Sequence, residues 1–311
     1  MSPAINKPII AVCGATGFQG GSVIKHLLQD GRFAVRGLTR NLNSAQAKEL
    51  TRQGIPLVKA DFDDLPSLCK AFKGCYGVYG VTDYFDALDR ETQQGINIVD
   101  AAKVAGIKHL VFSSGDDTPY DVPYINHKAA ATAHMRKSGV PSTALYLTWY
   151  FSNVFLTEAI RRNPMSGGWI SKFPLPLDTP IPSISPRDIG AYALGAFANP
   201  AEWIGQDMRP CNELITPRQY AEVYGEVTGS QVDIIETTRE EVLNQQIQPF
   251  PEIFKWFLDM HEGRFPPFSP ELAARLCPDK QTWRDFMIEH ATIPMEQPMV
   301  VQCYVARELS L

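Results

Sequence analysis

Residues 9–22 read Ile-Ile-Ala-Val-Cys-Gly-Ala-Thr-Gly-Phe-Gln-Gly-Gly-Ser, and this stretch constrains the fold more than any other. An apolar run stops at Gly14, glycines recur at Gly17, Gly20 and Gly21, and a helix-like stretch from Ser22 to Gln29 follows directly. A buried strand, a tight turn and a helix start in that order hold a dinucleotide pyrophosphate. Gly14 permits the sharp turn, Gly17 lets the backbone approach the phosphates, and Gly20 lets the helix pack close to the sheet. The helix N-terminus offers unpaired N–H groups and partial positive charge to the anion. The plain alternative is a structural glycine turn. The place of the motif on the first strand favours the nucleotide reading.

Strand patterns at Ile9–Cys13, Ala34–Leu38, Pro56–Lys59, Gly77–Val81, His109–Ser113 and Thr143–Leu147 alternate with helical ones. The helical patterns are Ser22–Gln29, Ser44–Arg52, Leu65–Phe72, Arg90–Val104 and Asn126–Lys137. Such alternation implies an α/β fold: a doubly wound parallel sheet with helices on both faces and ligands at the strands' C-terminal edge. After about residue 150 the rhythm breaks. Prolines crowd 173–186 and 249–270, which read as loops or extended segments. Helices are expected over Pro186–Ala198 and Pro217–Thr228, with Thr216 as N-cap of the latter, and a short strand over Gln231–Glu236. The expected division is a nucleotide-binding domain over 1–150 and a smaller, interleaved α+β domain on the substrate side over 151–311, with no linker between them.

The 311 residues carry 29 Lys and Arg against 34 Asp and Glu, a net charge of −5, which lacks the basic footprint of a nucleic-acid binder. The N-terminus has no apolar signal-peptide core, and no stretch is long and apolar enough for a membrane helix. Six cysteines, at 13, 69, 75, 211, 277 and 303, form no CxxC pair. They read as reduced, mostly buried thiols of a cytoplasmic protein rather than a metal site or disulfide framework. No metal is expected, and the histidines at 109, 127 and 134 form no ligand set.

No Asp or Glu occurs between Gly31 and Lys48, and Arg40 stands where a ribose-binding acid would be. Its planar fork suits a 2′-phosphate, which selects NADP(H) over NAD(H); the alternative is a solvated arginine. After the third strand comes Ala60-Asp61-Phe62-Asp63-Asp64. Either Asp61 accepts from the adenine amino group with Phe62 flanking the ring, or Asp63 or Asp64 caps the next helix. The fifth strand ends at Ser113-Ser114-Gly115, and Tyr124 and Lys128 follow on one helix face. A lysine ammonium beside a phenol lowers its pKa, so Tyr124 could exchange a proton with substrate, Lys128 could bond the nicotinamide ribose, and Ser114 could orient a carbonyl. Trp149, Tyr150, Phe151, Phe155, Trp169 and Phe173 either wall a hydrophobic substrate pocket or pack the core. Residues 250–268 could form a lid.

Taken together, Gly14-Ala-Thr-Gly-Phe-Gln-Gly-Gly-Ser-Val, Leu38-Thr-Arg, Ala60-Asp-Phe-Asp-Asp and Trp149-Tyr-Phe-Ser-Asn-Val resemble the NmrA-like family of atypical or extended short-chain dehydrogenase/reductases. Pro186-Arg-Asp-Ile-Gly, Ile215-Thr-Pro-Arg-Gln-Tyr and Trp283-Arg-Asp-Phe extend the likeness over nearly the whole chain. The resemblance implies a Rossmann domain, a smaller C-terminal domain and bound NADP(H). By position, Gly14, Thr16, Gly17, Phe18 and Gln19 would wrap the pyrophosphate and Arg40 would hold the 2′-phosphate. Thr82 and Lys128 would meet the nicotinamide-side ribose, and Tyr150, Phe151 and Asn153 would line the nicotinamide end.

The family contains both reductases and redox sensors. The leading expectation is an NADPH-dependent oxidoreductase acting on a hydrophobic imine, enone or carbonyl, as in natural-product tailoring, working as a monomer or homodimer. The alternative is a non-catalytic NADP(H) sensor that regulates a protein partner such as a transcription factor. A cofactor-assisted isomerase or cyclase ranks third. Tyr124 departs from the sensor pattern, while the ten-residue spacing from Ser114 to Tyr124 departs from the usual dehydrogenase pattern.

Overall fold

A computed structural model of the chain describes residues 7–244 and 251–290. In chain order the elements are β1 (Ile9–Val12), α1 (Phe18–Asp30), β2 (Ala34–Thr39), α2 (Ala45–Arg52), β3 (Leu57–Lys59), α3 (Leu65–Phe72), β4 (Gly77–Gly80), α4 (Tyr84–Ala87), α5 (Glu91–Val104), β5 (His109–Ser114), α6 (Pro123–Ser138), β6 (Ser142–Tyr146), β7 (Trp149–Tyr150), α7 (Asn153–Leu156), β8 (Ile160–Arg162), β9 (Trp169–Ser171), β10 (Ile181–Ile184), α8 (Ile189–Ala198), α9 (Pro200–Trp203), β11 (Asp207–Met208), β12 (Glu213–Ile215), α10 (Pro217–Thr228), β13 (Val232–Ile234), α11 (Arg239–Asn244), α12 (Pro251–His261), α13 (Pro270–Leu276) and α14 (Trp283–His290).

The chain divides into two compact units. The first holds residues up to 119 together with 123–147 and 186–209. Its sheet has seven strands in the order β11-β6-β5-β4-β1-β2-β3, every neighbouring pair parallel. The order reverses at β1, so the turn after β1 opens at the topological switch point, where such sheets bind ligands. Strands buried on both faces carry the core: Ile10, Ala11, Val12, Val78, Tyr79, Leu110, Val111 and Phe112 are all fully buried. His109 lies in the same core, its Nε2 2.8 Å from the Thr143 hydroxyl, and burial pulls its pKa from 6.5 to about 4, so it stays neutral.

Helix α1 starts at Phe18, four residues before its sequence pattern, and so takes Gly20 and Gly21 into its first turn. It packs closely against α8. The Ser22 hydroxyl donates to the Arg187 carbonyl at 2.6 Å and accepts the Gly190 N–H at 2.9 Å. A Cβ on Gly190 would stand 2.1 Å from the Ser22 carbonyl oxygen. Gly190→Ala should therefore cost about 2–3 kcal/mol of stability through forced separation of the two helices. Urea unfolding measures this, and a loss below about 0.5 kcal/mol, the range of an ordinary surface change, would contradict the packing.

The second unit holds 120–122, 148–185 and the described residues from 210 onward. The single boundary expected at residue 150 is thus replaced by an exchange of segments, because α8 and β11 return to the first unit. Two three-stranded sheets, β12-β10-β7 and β13-β9-β8, lie in the second unit with α10 to α14. The proline-rich stretch expected to be extended is largely helical. Pro251 opens α12, whose Phe254, Trp256 and Phe257 are buried, and Pro270 opens α13 behind the Ser269 cap. Phe250 and Cys303 lie outside the described residues. Among those described no helix is long and apolar enough to cross a membrane, no group of His, Cys, Asp and Glu could hold a metal, and Cys13, Cys69, Cys75, Cys211 and Cys277 are not in disulfides.

Candidate functional site

The loop after β1 is built from backbone. The Cys13 N–H donates to the Tyr79 carbonyl at 3.0 Å and the Ala15 N–H to the Leu38 carbonyl at 3.2 Å, tying the loop to β4 and β2. Gly14 turns with φ +60°, a conformation that favours glycine. The Gly17 N–H then returns to the Gly14 carbonyl at 2.9 Å. A Cβ on Gly20 would lie 2.2 Å from that same carbonyl oxygen, so the helix start is pressed against the turn. A Cβ on Gly17 would meet only the Gly14 carbonyl oxygen, at 3.4 Å, which leaves the outer side of Gly17 open.

Gly17 is the N-cap of α1, with no capping side chain and no acidic residue in the first turn. First-turn amides without a carboxylate beside them suit an anion. The donor set and the open glycine face therefore fit a dinucleotide pyrophosphate. Thr16 is half-buried and Phe18 exposed at this edge. Gln19 is turned to the sheet, its Oε1 accepting from the Tyr79 hydroxyl at 2.6 Å.

At the end of β2 the Arg40 guanidinium grips Asp86 with both nitrogens, Nη2 to Oδ1 at 2.9 Å and Nη1 to Oδ2 at 2.5 Å. The hydrogen bond to Asp86 raises the Arg40 pKa, and the nearby charges of Asp61 and Asp83 add to it. A region that lacks acids in the local sequence is thus acidic in space. Asp64 is the helix cap after β3, accepting the Ser67 N–H at 3.2 Å. Asp61 accepts the Asp63 N–H at 3.0 Å, and Asp63 pairs with Arg90 and takes the Gln94 amide at 3.0 Å. Phe62 is half-buried, with its carbonyl held by Asn97 at 2.8 Å.

Beyond β4, Thr82 and Lys128 meet around a residue that motif reading passes over. Glu91 at the start of α5 is fully buried and receives the Lys128 ammonium on Oε1. The Thr82 hydroxyl donates to the same oxygen at 2.8 Å, and Lys128 Nζ reaches the Thr82 carbonyl at 3.4 Å. The second Glu91 oxygen has no hydrogen-bond partner among the described residues and lies 3.9 Å from His127 Nδ1. A sequence signal for Glu91 exists: it falls on the same helix face as Gly95, Ile98 and Ala102, all buried.

Tyr124 packs against Phe85 (ring centroids 6.3 Å, 22° apart) and Tyr84 (6.0 Å). Burial, reinforced by Tyr84, pushes its phenol pKa up, opposite to the lowering expected from the lysine. The Lys128 ammonium is committed to Glu91, and Ser114 is buried with its hydroxyl 2.7 Å from that of Thr132.

The residues expected beside nicotinamide and substrate lie in the second unit, most of them within its own core. Phe151 is fully buried, 5.7 Å from the Trp283 ring and 5.8 Å from Phe286. Trp149 is buried against Phe257 at 5.9 Å and Phe254 at 6.1 Å. Trp169 packs on Tyr224 at 5.0 Å, with the Arg162 guanidinium 4.3 Å above its ring, and Phe173 stacks on Tyr220 at 5.2 Å. Of the two expectations for Trp149, Phe151, Trp169 and Phe173, pocket wall or core, these contacts match core packing. Tyr150, Asn153 and Phe155 keep partial exposure.

A sequence model described as the NmrA-like family matches residues 6–275. An NmrA-like family domain-containing oxidoreductase of Aspergillus hancockii is 33% identical over 258 residues, covering 74% of this chain and 75% of that protein. Among solved structures, the negative transcriptional regulator Nmra in complex with NADP superposes with a TM-score of 0.77 at 23% identity, covering 93% of this chain and 96% of the other. The triphenylmethane reductase of Citrobacter sp. complexed with NADP(H) gives 0.68 at 24% identity, covering 91% and 99%.

Proposed function

The chain belongs to the NmrA-like family, and on that footing we propose that it is a nicotinamide-dinucleotide sensor, binding NADP(H) or NAD(H) and regulating a protein partner without turning over a substrate. In this reading the amides at the start of α1, with Gly14, Thr16, Gly17 and Phe18, take the pyrophosphate. Arg40 takes a 2′-phosphate when one is present, Asp61 and Phe62 border the adenine, and Thr82 and Lys128 take the nicotinamide-side ribose. The nicotinamide itself would supply hydride chemistry when bound. This chain's residues supply binding and orientation.

The observation that carries the reading is the state of Tyr124 and Lys128. A phenol raised by burial and an ammonium bound to a buried carboxylate do not form the matched acid–base pair that carbonyl reduction uses at neutral pH. The structure of the regulator Nmra, known with NAD and with NADP, supports the same direction.

A second reading stays in view because the A. hancockii relative and the Citrobacter enzyme are an oxidoreductase and a reductase by name. Reduction of a cationic or conjugated hydrophobic acceptor such as an iminium needs no strong protein acid. One assay separates the two. Purified protein is mixed with NADPH and a series of quinone, enone and iminium acceptors, and loss of the reduced nicotinamide is followed. The sensor reading expects no oxidation above the protein-free rate and no change in Tyr124→Phe. Steady, protein-dependent turnover of any acceptor by the wild type would establish the reductase instead.

A further inference from the structure

We propose that Asp86 is an internal stand-in for the 2′-phosphate: by occupying the fork of Arg40 it sets the balance between NADP(H) and NAD(H). The inference rests on the dinucleotide reading above and names the residue that decides which dinucleotide is held.

The geometry is that of phosphate recognition with a carboxylate in place. Both terminal nitrogens of Arg40 are engaged by the two oxygens of Asp86, an end-on bidentate arrangement in which arginine also grips phosphate. To grip a 2′-phosphate with the same two terminal nitrogens, the guanidinium must release Asp86. Arg40 directly follows β2, where the charge of one side chain discriminates the two dinucleotides. Asp83 and Asp61 contribute further negative charge around it. An incoming 2′-phosphate therefore displaces a carboxylate and enters a field of like charge, whereas a 2′-hydroxyl does neither.

The segment that carries Asp86 is built to let go. Helix α4 is a single turn, capped by the Asp83 carboxylate, which accepts the Phe85 N–H at 3.2 Å. Its C-cap is Leu88, whose φ of +50° is unfavourable for a bulky side chain. The Arg40 and Asp86 side chains are 52% and 35% exposed, so the ion pair is weak enough for a ligand to break.

The test is a calorimetric titration of the full chain, Asp86→Asn, Arg40→Ala and the double variant with NADP⁺ and NAD⁺. Asp86→Asn should tighten NADP⁺ about three- to tenfold, through loss of one exposed ion pair and one like charge. It should move NAD⁺ less than about twofold, which is little in free energy. In the Arg40→Ala background the same substitution should tighten NADP⁺ less than about twofold, because only the like charge is then removed and the competition has no object. NADP⁺ affinity that is unchanged or weakened in Asp86→Asn, with the wild type still binding, overturns the role of Asp86 alone. A wild type that binds neither dinucleotide overturns the functional reading and this inference with it.

Discussion

Lys128→Met should lower the unfolding free energy by about 3–5 kcal/mol, the loss expected when one member of a buried ion pair is removed. The Glu91 side chain is 0% exposed and that of Lys128 15%. Methionine keeps most of the aliphatic stem, so packing changes little. What remains is a carboxylate out of water with one hydroxyl partner, Thr82, and a second oxygen that is already without one. The pair as a whole is a different matter. Replacing both members, Glu91→Gln with Lys128→Met, should recover most of the loss, since two charges are then spared desolvation. Urea unfolding of the wild type, both single variants and the double variant measures the coupling through the midpoint at constant m-value. A single-variant loss below about 1 kcal/mol would mean that the pair behaves as a solvent-screened surface contact, and that Glu91 does not position the lysine.

The contrast between Glu91 and Arg40 shows which parts of the site were legible in the sequence. The glycine turn is a local device: Gly14, Gly17 and Gly20 act on one another within seven residues, so their spacing alone foretells the geometry. Helix α3 begins at Leu65 behind the Asp64 cap and α10 at Pro217 behind Thr216, which explains why both match their expected ranges to the residue. Arg40 was recognisable as a cation in the right place. Its partner Asp86 is 46 positions away, and no local pattern brings the two together.

Lys128 and Tyr124 share a helix face, but each takes its chemistry from elsewhere, Lys128 from Glu91 on α5 and Tyr124 from the rings of Tyr84 and Phe85. In the second unit the strands are only two to four residues long, too short for an alternating pattern to declare itself. Prolines that normally break helices there mark the first positions of α12 and α13.

Gly17→Val should abolish dinucleotide binding while leaving the fold intact, the largest functional effect expected of any single methyl-bearing substitution in this loop. Gly17 has φ −97° and ψ 176°, an extended conformation that a β-branched residue adopts readily. Its Cβ would find only one protein atom, at 3.4 Å, which is ordinary contact. The added methyl groups project instead into the space a pyrophosphate would use to reach the amides of α1. Gly20 offers no such separation, because a Cβ there collides with the turn at 2.2 Å and would damage fold and site together. The expected loss is at least about a hundredfold in affinity, about 2.7 kcal/mol.

The most direct trial of the account is a pair of calorimetric titrations, wild type and Gly17→Val, each with NADP⁺ and with NAD⁺. Thermal unfolding of the two free proteins serves as the control for folding. Saturable heat in the wild type, no heat in the variant at millimolar dinucleotide, and matching unfolding curves are the predicted result. A wild type without heat for either dinucleotide, or a folded Gly17→Val that binds as tightly as the wild type, would contradict it.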